Sequence, residues 1–230
     1  MRLFLLFFFL ISCSEEYSKY YPLDKIDFWT YSVEIIPEVE KKVLYKKTNL
    51  SVGGKKIEIL GKSKYLYPVM REDGTTFFYE ITDKGIYRNG IKFLKDSKIK
   101  LEKEKRIVLP YPVEENKQWD VDSKTYLILR RYPYYDYRAT TDFKLNYKVV
   151  SLNESVITPN GEFKECLLIR GEGSTKFIDN EIGSIDIKII SEEWYSKNIG
   201  LVKMVRIEET DTDLFGTTKM VQLLEHFHSK

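Results

Sequence analysis

Alternation with a period of two runs through most of the chain. Ile185, Ile187 and Ile189 are separated by Asp186 and Lys188. Leu145, Tyr147 and Val149 are separated by Asn146 and Lys148, and Val202, Met204 and Arg206 alternate with Lys203, Val205 and Ile207. Successive side chains of a strand point to opposite faces, so each stretch predicts a strand with one dry and one wet face. No segment carries a sustained i, i+3, i+4, i+7 stripe, which excludes a helical protein. Lys95 to Arg106 reads either as a short charged helix or, through Ile99 and Leu101, as another strand.

Turn signals divide these runs. Gly53-Gly54, Asp73-Gly74, Asn89-Gly90 and Asn160-Gly161 are each flanked by β-branched or aromatic residues. Such pairs supply the positive φ of a tight two-residue hairpin. The spacing of the first three predicts consecutive hairpins with strands of about six to ten residues. A faint internal echo accompanies them. Tyr21-Pro22-Leu23 with Trp29 matches Tyr111-Pro112-Val113 with Trp119, and Phe78-Tyr79 with Gly85-Ile86 matches Trp194-Tyr195 with Gly200-Leu201. The echo is either a duplication, with halves 20–108 and 109–230, or the coincidence that aromatic-rich strands offer. In a duplication each Pro starts an extended segment and each Trp plugs a core. The expected fold is all-β: an antiparallel, hairpin-rich curved sheet or half-barrel, in one sheet or two.

Charge narrows the function. There are 37 Lys+Arg against 35 Asp+Glu, a net +2 over 230 residues. That leaves no basic excess to neutralise phosphates, so nucleic acid is not an expected partner. Two cysteines, Cys13 and Cys166, cannot build a disulfide scaffold.

The N-terminus carries the sharpest signal. Arg2 precedes nine apolar residues, Leu3 to Ile11. As a helix they rise only about 13.5 Å, too short to span a bilayer, so they read as a signal-peptide core. Leu10-Ile11-Ser12-Cys13 resembles the lipobox of bacterial lipoproteins: an aliphatic residue three before the cut, a small residue beside it, then Cys. The alternative is an ordinary secretory signal that happens to end in Ser-Cys. The resemblance implies that 1–12 is a signal peptide and that Cys13 takes a diacylglyceryl group. It makes 13–19 a short tether and 20–230 the β domain. Six extended residues reach about 20 Å, so the domain would sit against the leaflet. Ser14, where an inner-membrane retention Asp would stand, implies the outer membrane, facing the periplasm.

A second resemblance lies further on. Val156-Ile157-Thr158-Pro159-Asn160-Gly161-Glu162-Phe163 with Cys166 and Ile169 is similar to a V-P-A-G-T-F-x-x-C-x-x-I hairpin of bacterial envelope lipoproteins. Trp194-Tyr195 through Gly200-Leu201-Val202-Lys203 is similar to the W-Y-x-P-G-x-G-x-V-K strand that follows it in that group. Asn160, Glu162 and the missing Pro-Gly depart from the pattern. The resemblance implies an envelope-facing β fold without assigned activity. A more distant architectural similarity is to the half-barrel carriers and receptors of the Lol system, whose concave face holds acyl chains.

Candidate chemistry is sparse. Cys166, alternating with Leu167 and Ile169, reads as a small buried residue rather than a nucleophile. His226 and His228 could make a weak metal pair on one strand face; a frayed polar tail is the expectation, and no metal or cofactor is implied. Gly61-Lys62-Ser63 lacks the first glycine of a phosphate loop. Glu192-Glu193 and Glu208-Glu209 read as solvated, since adjacent strand residues face opposite ways, while Asp211/Asp213 could in principle do acid–base work; catalysis is not expected. Tyr132, Tyr134, Tyr135 and Tyr137 around Pro133, and Tyr17, Tyr20 and Tyr21 near the anchor, either contact a ligand, partner or headgroups, or simply cap a core. The expectation is therefore a membrane-anchored lipoprotein without catalysis, binding a lipid or other apolar ligand on a concave sheet face. The competing class is an interaction or scaffold module for envelope proteins. A carrier requires a cavity and a scaffold a solid core.

Overall fold

A computed structural model describes residues 19–38, 41–59, 61–125, 127–131, 135–180 and 183–229. The strands are β1 (Asp27–Pro37), β2 (Val43–Ser51), β3 (Lys55–Ile59), β4 (Lys62–Arg71) and β5 (Thr76–Thr82). They continue with β6 (Gly85–Lys92), β7 (Lys100–Pro110), β8 (Gln118–Lys124), β9 (Leu127–Arg131) and β10 (Tyr135–Ala139). The last five are β11 (Asp142–Thr158), β12 (Gly161–Asp179), β13 (Gly183–Ser196), β14 (Gly200–Thr210) and β15 (Thr217–Ser229). No helix occurs among the described residues.

The fold is all-β and antiparallel, as the alternation predicts. One 13-stranded sheet runs β7-β6-β5-β4-β2-β1-β15-β14-β13-β12-β11-β8, with β3 paired to β4 alone. β9 and β10 form a separate hairpin. Two meanders are thus joined where the first strand meets the last, from Asp27↔Ser229 to Pro37↔Thr218. The two edges, β7 and β8, follow one another in the chain and approach again in space. Arg106 Nη1 donates to the Asp122 carbonyl across that seam, and the sheet is nearly closed into a barrel-like shape.

Two of the four turn signals form hairpins. Asp73-Gly74 joins β4 to β5, with Met70 opposite Thr76 and the Thr75 N–H donating to Asp73 Oδ1 at 2.8 Å. Asn160-Gly161 joins β11 to β12, where Gly161 alone of the pair carries the positive φ, 131°. Gly53-Gly54 instead links β2 to β3, which do not pair with each other. Asn89-Gly90 is no turn at all: it lies inside β6, and the preceding chain reversal is at Asp83-Lys84, with Thr82 opposite Gly85. The reason is steric. A Cβ on Gly90 would stand 2.7 Å from the Lys100 carbonyl oxygen, where the β6–β7 register shifts between Arg88 and Gly90. The glycine serves close strand approach at a bulge rather than a turn. Gly90→Ala should therefore lower stability by about 1–3 kcal/mol, read from the urea midpoint.

Other expectations also shift. Lys95–Arg106 resolves into a loop followed by the edge strand β7. β4, β5 and β6, at 10, 7 and 8 residues, have the length the first turn signals predict, whereas β11, β12 and β13 run to 17, 19 and 14. The Trp194 to Lys203 stretch, expected as one strand, is the β13–β14 hairpin, turning through Asn198 at φ 65°. β15 carries His226 and His228 in register with Thr30 and Phe28, so this end is a paired strand rather than a frayed tail.

Length allows β11 and β12 to bury both faces. Leu145, Tyr147, Val149, Leu167 and Ile169 point into the main core with Ile185, Ile187 and Ile189. On the reverse face Cys166 and Leu168 join Val156, Phe163, Trp194 and Val202 in a second core. Three register shifts along β11 bend the hairpin, and the Asn160 N–H reaches the Leu224 carbonyl at 3.2 Å. Trp29 and Trp119 are both buried, at 5% and 7% exposure.

Candidate functional site: a basic, tyrosine-walled cavity

The curled sheet lines a half-open cavity of about 240 Å³. Register explains its lining. Asn49 lies opposite Trp29 and Lys47 opposite Tyr31; Arg71 lies opposite Asn49, and Arg106 opposite Arg88. These side chains, with Phe77 and Tyr79 of β5, form the wall contributed by the first meander. Glu193 and Tyr195 of β13 and Leu201 and Met204 of β14 form the facing wall.

The segment before β1 contributes to the lining. Tyr21, Pro22 and Leu23 border the cavity. The Asn198 N–H donates to the Lys19 carbonyl at 2.7 Å, and Ser51 Oγ donates to the Leu23 carbonyl at 3.1 Å. The Tyr21 ring lies 5.4 Å from that of Tyr79 and 6.2 Å from that of Tyr195. Trp29 Nε1 and Tyr31 Oη donate to the carbonyls of Ile199 and Leu201, at 2.6 and 3.1 Å. These contacts fix the aromatic walls through hydrogen bonds as well as packing.

Electrostatics sets this cavity apart from an acyl-chain groove. Four basic side chains, Lys47, Arg71, Arg88 and Arg106, line it against one carboxylate, Glu193. Arg88 is neutralised by Glu102 at 2.6 Å. Among the described residues Lys47, Arg71 and Arg106 have no carboxylate within ion-pair distance. Lys47 Nζ donates to Gln222 Oε1 at 3.0 Å. Arg71 lies over the Phe77 ring at 4.6 Å and Arg88 over the same ring at 5.1 Å. Glu193 is held by hydroxyls: Tyr147 at 2.8 Å, Ser191 at 3.5 Å, and Tyr195. Burial, and then the Glu193 charge, push the phenols of Tyr147 and Tyr195 upward, so both stay protonated donors.

Like charges facing one another in a desolvated space destabilise their own ionised forms. Burial, followed by Arg88, lowers the Arg106 guanidinium. Burial, followed by Arg71, pushes Lys47 down to about 8. Between pH 8 and the ordinary lysine range the unfolded chain binds more protons than the folded one, so Lys47 makes stability rise with pH there. Below pH 8 its charge is a constant penalty of roughly 1–3 kcal/mol. Lys47→Met should flatten that rise, read by comparing urea midpoints of the two proteins at pH 7.5 and pH 10.

Of the five charged groups only Glu193 was singled out from sequence, and as a solvated residue. Tyr21 apart, the structure places the other described residues that were singled out for chemistry away from the cavity. Tyr132 and Tyr134, like Tyr17, Cys13 and the lipobox residues Leu10, Ile11 and Ser12, lie outside the described residues. Tyr135 and Tyr137 fall on β10, in the hairpin apart from the main sheet. Tyr20 is buried and Tyr21 borders the cavity. Cys166 is fully buried, its thiol pushed up to about 11 by that burial. Two carboxylates expected in solvent are turned inward: Glu193, and Glu208, which pairs with Arg206 at 2.7 Å at only 5% exposure. Arg206 also donates to the Lys124 carbonyl at 2.8 Å, bridging β14 to β8 across the interior. His226 and His228 are exposed, and no metal-capable cluster of three or more His, Cys, Asp or Glu occurs among the described residues.

No family model matches the chain, and no curated protein does. Among solved structures it is similar to a candidate lipoprotein from Parabacteroides distasonis, with 14% identity and a TM-score of 0.49 over 91% of this chain and 98% of that one. It is also similar to a candidate exported protein with a YmcC-like fold from Bacteroides fragilis, with 12% identity and a TM-score of 0.45 over 90% and 97%.

Proposed function

We propose that this protein is an envelope lipoprotein, anchored through Cys13, that binds a small amphiphilic ligand in the interior cavity without transforming it. The observation that supports binding is the cavity itself: three basic groups without carboxylate partners lie beside a wall of tyrosines inside the sheet. A folded chain rarely keeps several unpaired charges in one half-open cavity for stability alone, because their desolvation is costly. The lipobox residues Leu10 to Cys13 support the anchor.

The cavity modifies the expected ligand. At about 240 Å³ it is smaller than the roughly 300–1,000 Å³ of usual small-molecule sites. It suits a polar head with a short apolar neighbour better than a whole acyl chain. A scaffold module would instead show a solid core. Isothermal titration of the detergent-extracted full chain with decanoate and with decyl maltoside tests the reading. Saturable heat with decanoate beyond that with decyl maltoside, weakened in Arg71→Gln, supports it; saturable heats equal for the two ligands, or unchanged in Arg71→Gln, contradict it.

A further inference from the structure

We infer that the cavity recognises a dianionic phosphomonoester group, either carried on a lipid or on a soluble molecule. This rests on the binding reading above and names its ligand class. The argument begins with charge balance. Arg88 and Glu102 cancel. Among the lining side chains, Lys47, Arg71 and Arg106 against Glu193 leave three positive charges and one negative, a surplus of two; Glu72, which faces Lys47, is exposed to solvent outside the lining. A monocarboxylate would neutralise half of that surplus and a phosphomonoester essentially all of it.

Geometry agrees. The three unpaired cations project from three strands, β2, β4 and β7, all of the first meander. Glu193 stands on β13 of the second, tied to the hydroxyls of Tyr147, Ser191 and Tyr195. An anion is therefore drawn toward one wall and repelled from the other. A terminal phosphate presents three oxygens, one for each cationic group, and forked guanidinium donors match such oxygens well. A carboxylate has only two.

The dianion has a signature in pH. Its second ionisation lies near 6, so affinity should climb from pH 5 to 7. Above about 8 it should fall as Lys47 loses its proton. The groups facing Lys47 are Tyr31 on β1, Arg71 and Glu72 at the end of β4, Gln222 on β15 and Glu193 on β13. Glu72 is exposed and accepts from the Thr48 N–H. A monoanionic ligand would show the upper limb only.

The test is isothermal titration of the detergent-extracted full chain with four probes: glycerol 3-phosphate, dihexanoyl phosphatidic acid, acetate and decanoate. The expected result is that both phosphomonoesters bind with the two-limbed pH profile. Arg71→Gln and Lys47→Met should each weaken them by about tenfold to a hundredfold, with thermal unfolding of each variant checking its fold. Equal affinities assign a soluble phosphomonoester, and tenfold or tighter phosphatidic acid assigns a lipid headgroup. Decanoate binding better than either phosphomonoester overturns the inference and leaves the binding reading standing. Failure of all four probes overturns both.

Discussion

Cys13→Ser should move the protein from the membrane fraction to the soluble fraction. Two or three acyl chains contribute about 0.8 kcal/mol per buried methylene, enough for permanent attachment. After processing, the chain would keep 36 bases against 35 acids, so no polybasic patch would hold it to anionic headgroups once the lipid is gone. In a Cys13→Ser variant whose residues 1–12 are replaced by an ordinarily cleaved secretory signal, the expected outcome is near-complete release, seen by membrane flotation, together with loss of labelled palmitate from the protein. Retention of the variant on membranes would mean that another surface carries the attachment. Because Tyr21 to Leu23 border the cavity, a lipid on Cys13 would have a structural consequence. A tether of six residues reaches about 20 Å, which would keep that border close to the leaflet.

The second large effect concerns Glu193. It is the only carboxylate lining the cavity among the described residues. Glu193→Ala should lower stability by about 1–3 kcal/mol, the range seen when buried donors are left without their acceptor. Two effects add. The buried hydroxyls of Tyr147 and Tyr195 lose their acceptor, and the cavity's cations lose the one carboxylate that shares their lining. Glu193→Gln should cost less, since an amide oxygen still accepts one phenol. High salt should recover part of the loss by screening the cations and none of the part due to hydroxyls. Urea midpoints of the three proteins at low and high salt separate the two contributions. A loss below 1 kcal/mol for Glu193→Ala would show that Glu193 does not balance the cavity.

Much of the architecture was legible because its cause is local. The period of two in Ile185–Ile189 and Leu145–Val149 assigns those side chains to one face, and they are core residues. Asp73-Gly74 announces a hairpin because its side chain and its φ both act within four residues. Asn89-Gly90 failed as a turn because the dipeptide's meaning depends on β7, whose approach at Lys100 is not local. Cys166 is buried as read from sequence, but Leu168 on the same face illustrates the same limit. Alternation assigns one of their strand's two faces to water, and only the bending of the long β11–β12 hairpin buries both.

The cavity was less legible still. Lys47 and Arg71 look like ordinary wet-face residues in sequence, since nothing local tells which face of an open sheet becomes the inside of a closed one. A usable signal was present in composition. Only nine of the 37 basic residues are arginine, and among the described side chains Arg71, Arg88 and Arg106 line the cavity while Arg206 reaches from β14 to the Lys124 carbonyl of β8. A chain that covers its surface with lysine places its arginines where forked donors or stacking on a ring are needed. Glu193 was masked by Glu192 beside it, although adjacent strand residues must face opposite ways.

The most direct test of the central claim is native mass spectrometry of the full chain, extracted from its own membrane in mild detergent. Wild-type protein should carry one additional mass that acid or high salt removes, and Arg71→Gln prepared in parallel should carry none. The same bare mass for both proteins, or an adduct equally abundant on the variant, would contradict a cavity built to hold an anion.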